Sequence, residues 1–276
     1  MGATPELLYL DLMKKTLSFL LWEEVGVPID MYAHLKSLPK RLFIRALSHL
    51  LRAMRFQIVE DIRYKHDQRV EGKVMPMYAD TMIGLKRLDN IQYCVENVIR
   101  NNIEGDLIET GVWRGGACIF MRAILTAYDI SDRNIFVADS FQGLPKPDES
   151  RYVQDKGDKH YKFRFTAVSR EEVEANFVKY GLLDKQVVFL EGWFKDTLPD
   201  APIDKLAVMR LDGDMYGSTM DALINLYPKL SDGGFCIIDD YALDSCKRAV
   251  DDFRAKWKIK NPLMKIDWTG VYWQKG

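Results

Sequence analysis

The chain has little of what marks a zinc protein, a disulfide scaffold or a nucleic-acid binder. Its four cysteines, Cys94, Cys118, Cys236 and Cys246, form no CxxC pair, and three of them sit inside apolar stretches. They read as buried, reduced thiols in a reducing compartment. The four histidines show no HExxH or HxH spacing, so a zinc site is disfavoured and any metal has to use oxygen ligands. A net charge of −1 lacks the basic excess of a nucleic-acid or anionic-membrane binder and favours a small-molecule partner. Long hydrophobic runs are missing as well. The most apolar early run, LSFLLW (17–22), is too short to span a bilayer and is flanked by Lys14, Lys15, Glu23 and Glu24. Acidic Glu6 and Asp11 precede it, which does not suit a signal peptide, so a soluble cytoplasmic protein is expected. No internal repeat or low-complexity tract breaks the chain.

Two rhythms are present instead. Up to about residue 100, apolar residues recur at three and four positions, in ELLYLDLMKKTLSFLLW and again in RLFIRALSHLLRAM, which predicts helices. Residues 9–24 read as a helix whose apolar stripe docks on the core or on a partner subunit. From about residue 106, short apolar runs bounded by turn residues take over: DLIET, NIFVAD, QVVFLE, KLAVMRLD and GFCIIDD. Helical stretches separate them, one of which opens on a capping box of Ser169 and Glu172. Apolar strands alternating with helices predict an α/β fold, a doubly wound, mostly parallel sheet with helices on both faces. The closing PLMKIDWTGVYWQKG supplies an edge hairpin around Thr269 and Gly270, which fits a seven-stranded Rossmann-like variant with an N-terminal helical extension. Residues 1–75 are assigned to the extension, as a lid or dimer element, and 76–276 to the main domain. The polar, proline-bearing stretch 143–164 has no period and is expected to be a functional lid or a disordered loop.

In an open parallel sheet, ligands bind beyond the carboxyl ends of the strands. Here every such end carries an acid: Glu109 with Thr110, Asp139 with Ser140, Glu191 with Gly192, Asp212, and Asp239 with Asp240. Buried acids need partners. After the first strand, ETGVWRGG offers Gly111, Gly115 and Gly116 for close ligand approach, but the spacing is not GxGxxG and a nicotinamide cofactor is disfavoured. Asp139 is placed to accept both ribose hydroxyls of a nucleoside. Phe141 and Trp193 follow two strand ends and either sandwich an adenine or belong to the core. Asp212, Asp239 and Asp240 end adjacent strands and should converge. Three like charges at one spot call for a hard divalent cation such as Mg²⁺. Asp214, one glycine past Asp212, is then a candidate base for a hydroxyl that the ion acidifies. Arg114 reads either as a partner for the clustered acids or as a solvated residue.

ETGVWRGGACIFMRAIL, ADSFQGLP, RLDGDMY and IIDDY, with MYADTMIGLKRLDNIQ upstream, closely resemble the macrocin and mycinamicin type (TylF-like) sugar O-methyltransferases of antibiotic biosynthesis, over roughly residues 75–275. The resemblance implies an S-adenosylmethionine- and Mg²⁺-dependent O-methyltransferase that is commonly a homodimer. By the same resemblance Asp212, Asp239 and Asp240 match metal ligands and Asp214 the base. Glu109, Thr110, Gly111, Val112, Trp113, Asp139, Ser140, Gly192, Trp193 and Asp212 match positions around the cofactor, and MYADTM matches a cover over its methionine end. A glycosylated natural product is the implied acceptor. Two rivals stand beside this reading. Asp212-Gly213-Asp214 also reads as the DxD element of a metal-dependent glycosyltransferase, which leaves GVWRGG and IIDD without a place. A non-catalytic nucleoside-binding relative would keep the sheet without the chemistry.

Overall fold

The computed structural model describes residues 2, 4–22, 26–29, 37–60, 65–74 and 77–276. Glu23, Glu24 and the expected domain boundary at residues 75 and 76 lie outside them. Helix α1 (Pro5–Leu17) is followed by strand β1 (Val27–Pro28), α2 (Leu38–Ala53), β2 (Val59–Glu60), α3 (His66–Val70) and α4 (Leu85–Arg100). The α/β part runs β3 (Asp106–Thr110), α5 (Gly116–Ala127), β4 (Ile135–Asp139), α6 (Arg170–Lys179), β5 (Val187–Glu191) and α7 (Phe194–Thr197). It closes with β6 (Leu206–Leu211), α8 (Tyr216–Leu226), β7 (Leu230–Ile238), α9 (Asp244–Lys256), β8 (Met264–Lys265) and β9 (Val271–Gln274).

Seven strands pair in the order β5-β4-β3-β6-β7-β9-β8, parallel from β5 to β7 and antiparallel at the β9–β8 edge. This is the predicted Rossmann-like sheet with its terminal hairpin. The reason the strands are apolar throughout is visible in their neighbours. Successive residues of β3, β4 and β7 feed opposite layers: Leu107, Ile135, Val137, Phe235 and Ile237 join a core with α1, α4, α5 and α6. Their alternates Ile108, Phe136, Ala138, Cys236 and Ile238 join a second core with α8 and α9. Each fully buried Leu, Ile or Phe contributes about 1.5–3 kcal/mol relative to exposure. All four cysteines are free and buried.

At the N-terminus α1 ends at Leu17, short of the helix expected to reach residue 24, and residues 18–22 form a turn. Its Leu10, Met13 and Leu17 are buried in the first core, so α1 is part of the main layer system. By contrast, α2 buries only Ser48 and leaves Leu38, Leu42, Phe43 and Leu50 exposed. No helix among the described residues is long and apolar enough to cross a membrane.

Candidate active site

The strand tips are organised by one arginine. Arg210, in the central strand β6, is 1% exposed and stands beside Glu109 in the β3–β6 register. Its Nη1 donates to Glu109 and, at 3.1 Å, to Asp212 Oδ2, while its Nη2 donates to Asp239. Burial opposes the guanidinium charge, but Asp239, Glu109 and Asp212 outweigh it and raise the pKa. Arg87, at the start of α4, reaches the same place. It donates through Nη1 to the other oxygen of Asp239 and through Nε at 2.9 Å to Asp267, in the turn before β9. Of the acids that the sequence left in search of partners, Glu109, Asp212 and Asp239 thus find them in Arg210 and Arg87. Arg114 does something else: its Nη1 donates to the carbonyl oxygens of Met77 and Ala79, at 2.8 and 2.7 Å, in the MYADTM segment.

The turn after β3 explains the glycine at 111. Its φ of +81° lies in the left-handed region, and a Cβ there would run into the carbonyl oxygen of Asp212. Two strand tips are brought together by that contact. Beyond β6, Asp214 also adopts a positive φ, 52°, held by its amide donating to Asp240 Oδ2 at 3.3 Å and by Ser245 Oγ donating to its carbonyl at 2.9 Å. Strain of this kind in a non-glycine residue gathers at functional sites.

Carboxylate oxygens of Asp212, Asp214 and Asp240 lie within 4.8 Å of one another. Burial and mutual repulsion push Asp212 up to about 6 and Asp214 to about 7, and raise Asp240 well above its usual range. A buried cluster of carboxylate oxygens that repel one another suits a hard divalent ion. Asp214 belongs to this cluster and Asp239 does not, both of its oxygens accepting from arginines.

A cavity of about 580 Å³ opens over these tips. Of the predicted residues, Gly111, Trp113, Asp139, Ser140, Trp193, Asp212 and Asp214 line it. Glu109 does not: it is buried beneath Arg210, with Cys118 Sγ donating to it at 2.9 Å, and burial pushes it up to about 7 against the pull of Arg210. Thr110 and Val112 are buried in the strand end and turn, and Gly192, Asp239 and Asp240 also lie off the wall. Phe141 is 8% exposed and packs on Phe189 at 6.1 Å, so of the two rings proposed for an adenine only Trp193 faces the cavity. Asp139 accepts the amides of Val112 and Phe141, both at 2.8 Å. Burial raises its pKa and those amides lower it. Ser140 Oγ adds a long contact at 3.5 Å, so of about four lone-pair sites on a carboxylate a ligand's hydroxyl finds one open and one only weakly held.

The 143–164 loop forms part of the cavity wall. Asp155, 3% exposed, accepts the amides of Tyr216 and Gly217 at the start of α8, both at 2.8 Å. Tyr152 Oη donates to Asp221 at 2.9 Å, and Arg151 pairs with the same carboxylate at 2.7 Å. Sequence reasoning missed these anchors, as it missed the roles of Arg87 and Arg210. One arginine inside an otherwise apolar strand, with acids ending that strand and both of its neighbours, was the signal for Arg210.

A seven-stranded sheet of this order, with its cleft over the carboxyl ends, defines the Rossmann-like class of methyltransferase folds. Residues 6–275 match the family Macrocin-O-methyltransferase (TylF), and the chain belongs to that family. It is 52% identical over 270 residues, 97% of this chain and 93% of the relative, to demethyldecarbamoylnovobiocin O-methyltransferase of Streptomyces niveus. It is 48% identical over 268 residues, 97% of this chain and 92% of the relative, to 8-demethyl-8-(2,3-dimethoxy-alpha-L-rhamnosyl)-tetracenomycin-C 4'-O-methyltransferase of Streptomyces olivaceus. Among solved structures, that of the O-methyltransferase NovP superposes with a TM-score of 0.83 at 49% identity, covering 98% of this chain and 99% of that one. The protein is an O-methyltransferase.

Proposed function

We propose that the protein uses S-adenosylmethionine and a divalent cation, Mg²⁺ or a similar ion, to methylate a hydroxyl on the sugar of a glycosylated natural product. The observation that carries this reading is a single cavity with Asp139 and Trp193 at one part of its wall and Asp212 and Asp214 at another. Relatives whose names specify a demethyldecarbamoylnovobiocin and a rhamnosyl tetracenomycin support the acceptor class.

When bound, S-adenosylmethionine supplies an electrophilic methyl group on a sulfonium. Asp139 would hold the ribose hydroxyls with the lone pairs its backbone amides leave open. Trp193 would flank the adenine, Ser140 and the Gly111–Trp113 turn would border the cofactor, and Met82 would cover its methionine end. The ion, when bound, supplies positive charge that acidifies a neighbouring hydroxyl and relieves the repulsion among the carboxylates. Asp212, Asp239 and Asp240 would hold it. Asp239 can do so from its present position only by sharing an oxygen between a guanidinium and the ion. Asp214 would take the hydroxyl proton. The remaining contribution of the chain is orientation and exclusion of water by the anchored 143–164 loop. The segment 1–75 is assigned to enclosing the acceptor and to a homodimer contact, because α2 leaves its apolar residues uncovered. A cytoplasmic location belongs to the same reading.

The test is methylation of a glycoside acceptor with S-adenosylmethionine, with Mg²⁺ or with a chelator. Asp212→Asn is expected to abolish Mg²⁺-dependent turnover while binding of S-adenosylhomocysteine survives in calorimetry. Unchanged turnover in that variant removes the metal assignment.

A further inference from the structure

Between Asp158 and Thr166 the loop carries aromatic residues at alternate positions, Tyr161, Phe163 and Phe165. Two short 3₁₀ turns, 160–162 and 164–166, shape this stretch. The rings of Phe163 and Phe165 stack, with centroids 5.6 Å apart and planes 20° apart, yet the two residues remain 44% and 43% exposed. Neither ring belongs to a core. On either side of them, Tyr161 and Thr166 line the cavity.

The stretch that carries the rings is held in place. Trp113, in the turn that borders the cavity, donates its indole N–H to the Phe165 carbonyl at 2.9 Å. His160 meets Phe163 edge-on at 5.5 Å, and its imidazole is fixed on Asp158 at 2.6 Å. A loop that merely tolerated two phenylalanines would have no need to anchor them this way.

The acceptor hydroxyl has to reach the carboxylates at the cavity floor, so whatever the sugar is attached to must leave by the wall. The wall beside Gly111, Asp139 and Trp193 is already assigned to the methyl donor. Tyr161 and Thr166 mark a wall that remains. We infer that the Phe163–Phe165 stack is the platform for a flat aromatic aglycone of the acceptor, an inference that rests on the glycoside reading above. Aromatic rings extend an existing stack by offset or edge contacts at centroid distances of about 4.5–7 Å, and they do so with little demand on the rest of the molecule. Phe163 and Phe165 are therefore specificity-determining residues, acting on the acceptor's affinity and not on methyl transfer.

Calorimetry with S-adenosylhomocysteine and Mg²⁺ present tests this with three probes, 2-naphthyl α-rhamnoside, methyl α-rhamnoside and free 2-naphthol. The native protein is expected to bind the naphthyl glycoside at least ten-fold more tightly than the methyl glycoside. In the double variant Phe163→Ala, Phe165→Ala that preference is expected to fall below two-fold, with S-adenosylhomocysteine affinity unchanged. If the alanine variant does not fold, Phe163→Leu with Phe165→Leu keeps the apolar bulk without the rings and gives the same readout. A native preference below two-fold, or one that survives loss of both rings, overturns the proposal. If neither glycoside binds, the glycoside reading fails, and 2-naphthol decides the platform separately: binding that the variant loses upholds it, and no binding sinks it. Loss of self-association in the variant with an unchanged glycoside preference places a second copy of the chain on the rings and also overturns it.

Discussion

Two groups of carboxylates stand side by side at the sheet's carboxyl edge and obey opposite rules. Glu109 and Asp239 are neutralised by Arg210, with Arg87 adding a second hold on Asp239. Asp214 and Asp240 face each other and Asp212, and among the described residues no ion pair to either is present. Only Asp212 takes part in both groups, through its 3.1 Å contact with Arg210. The first group is structural: paired charges fix three strand tips in one register. In the second, repulsion among the carboxylates is not offset by any such pairing of Asp214 or Asp240 among the described residues, which is what the proposed cation would supply. A protein that merely needed a stable sheet end would have extended the first arrangement to all of these acids.

The contrast can be broken most severely at Arg210. Arg210→Met leaves Glu109 and Asp239 without their shared guanidinium and is expected to lower stability by about 3–5 kcal/mol in urea denaturation, with activity lost alongside. A variant of native stability would show that the pairing is incidental. Asp214→Asn touches only the second group. Its turnover is expected to fall by about 10²-fold or more, with S-adenosylhomocysteine binding kept and the urea midpoint not lowered. Native turnover there removes Asp214 as the base.

Smaller effects sharpen the same distinction through pH. Asp240 has its folded-state pKa raised well above 3.8, and Asp212 and Asp214 are raised to about 6 and about 7. A raised carboxylate favours the folded state while it is protonated. Its contribution is therefore full below the unfolded value and is lost as pH rises toward the folded one. The metal-free protein should lose stability between about pH 4 and pH 7, and Mg²⁺ affinity should rise over the upper part of that range as protons leave. Asp240→Asn is expected to melt above the native protein at pH 7.5 without metal, by a margin that shrinks toward pH 4, and to gain less from added Mg²⁺. A metal-free melting temperature equal to the native one at both pH values would show that the repulsion is absent. The smallest change is Ser169→Ala, at the start of α6, where Ser169 accepts the Glu172 amide at 3.3 Å. A loss of about 1 kcal/mol with unaltered Mg²⁺ affinity is expected, and it serves as the reference for a purely structural effect.

The fold was legible because each run of β-branched and aliphatic residues was long enough for a strand, was followed by a helical period and ended at an acid. Both faces of β3 and β7 are covered, and the sequence carries that fact as an absence of alternation. The candidate site was legible where a residue's role depends on its own strand end, as for Asp139, Asp212 and Asp214. Contacts between distant segments were hidden. Nothing in the local pattern of KRLDN joins Arg87 to Asp239, 152 positions away, and nothing in QDKGD ties Asp155 to the amides of α8. Phe141 was ambiguous for a related reason. A phenylalanine two residues past a strand tip turns inward or outward according to the ring it finds on the next strand, here Phe189.

The turn between β3 and α5 carries one more consequence. Its neighbouring residues Trp113 and Arg114, whose side chains stack at 4.3 Å, grip different flaps: the indole holds residue 165 and the guanidinium holds residues 77 and 79. One short turn thus ties two segments distant in sequence, the stretch around residue 165 and the one before α4, to the same edge of the cavity.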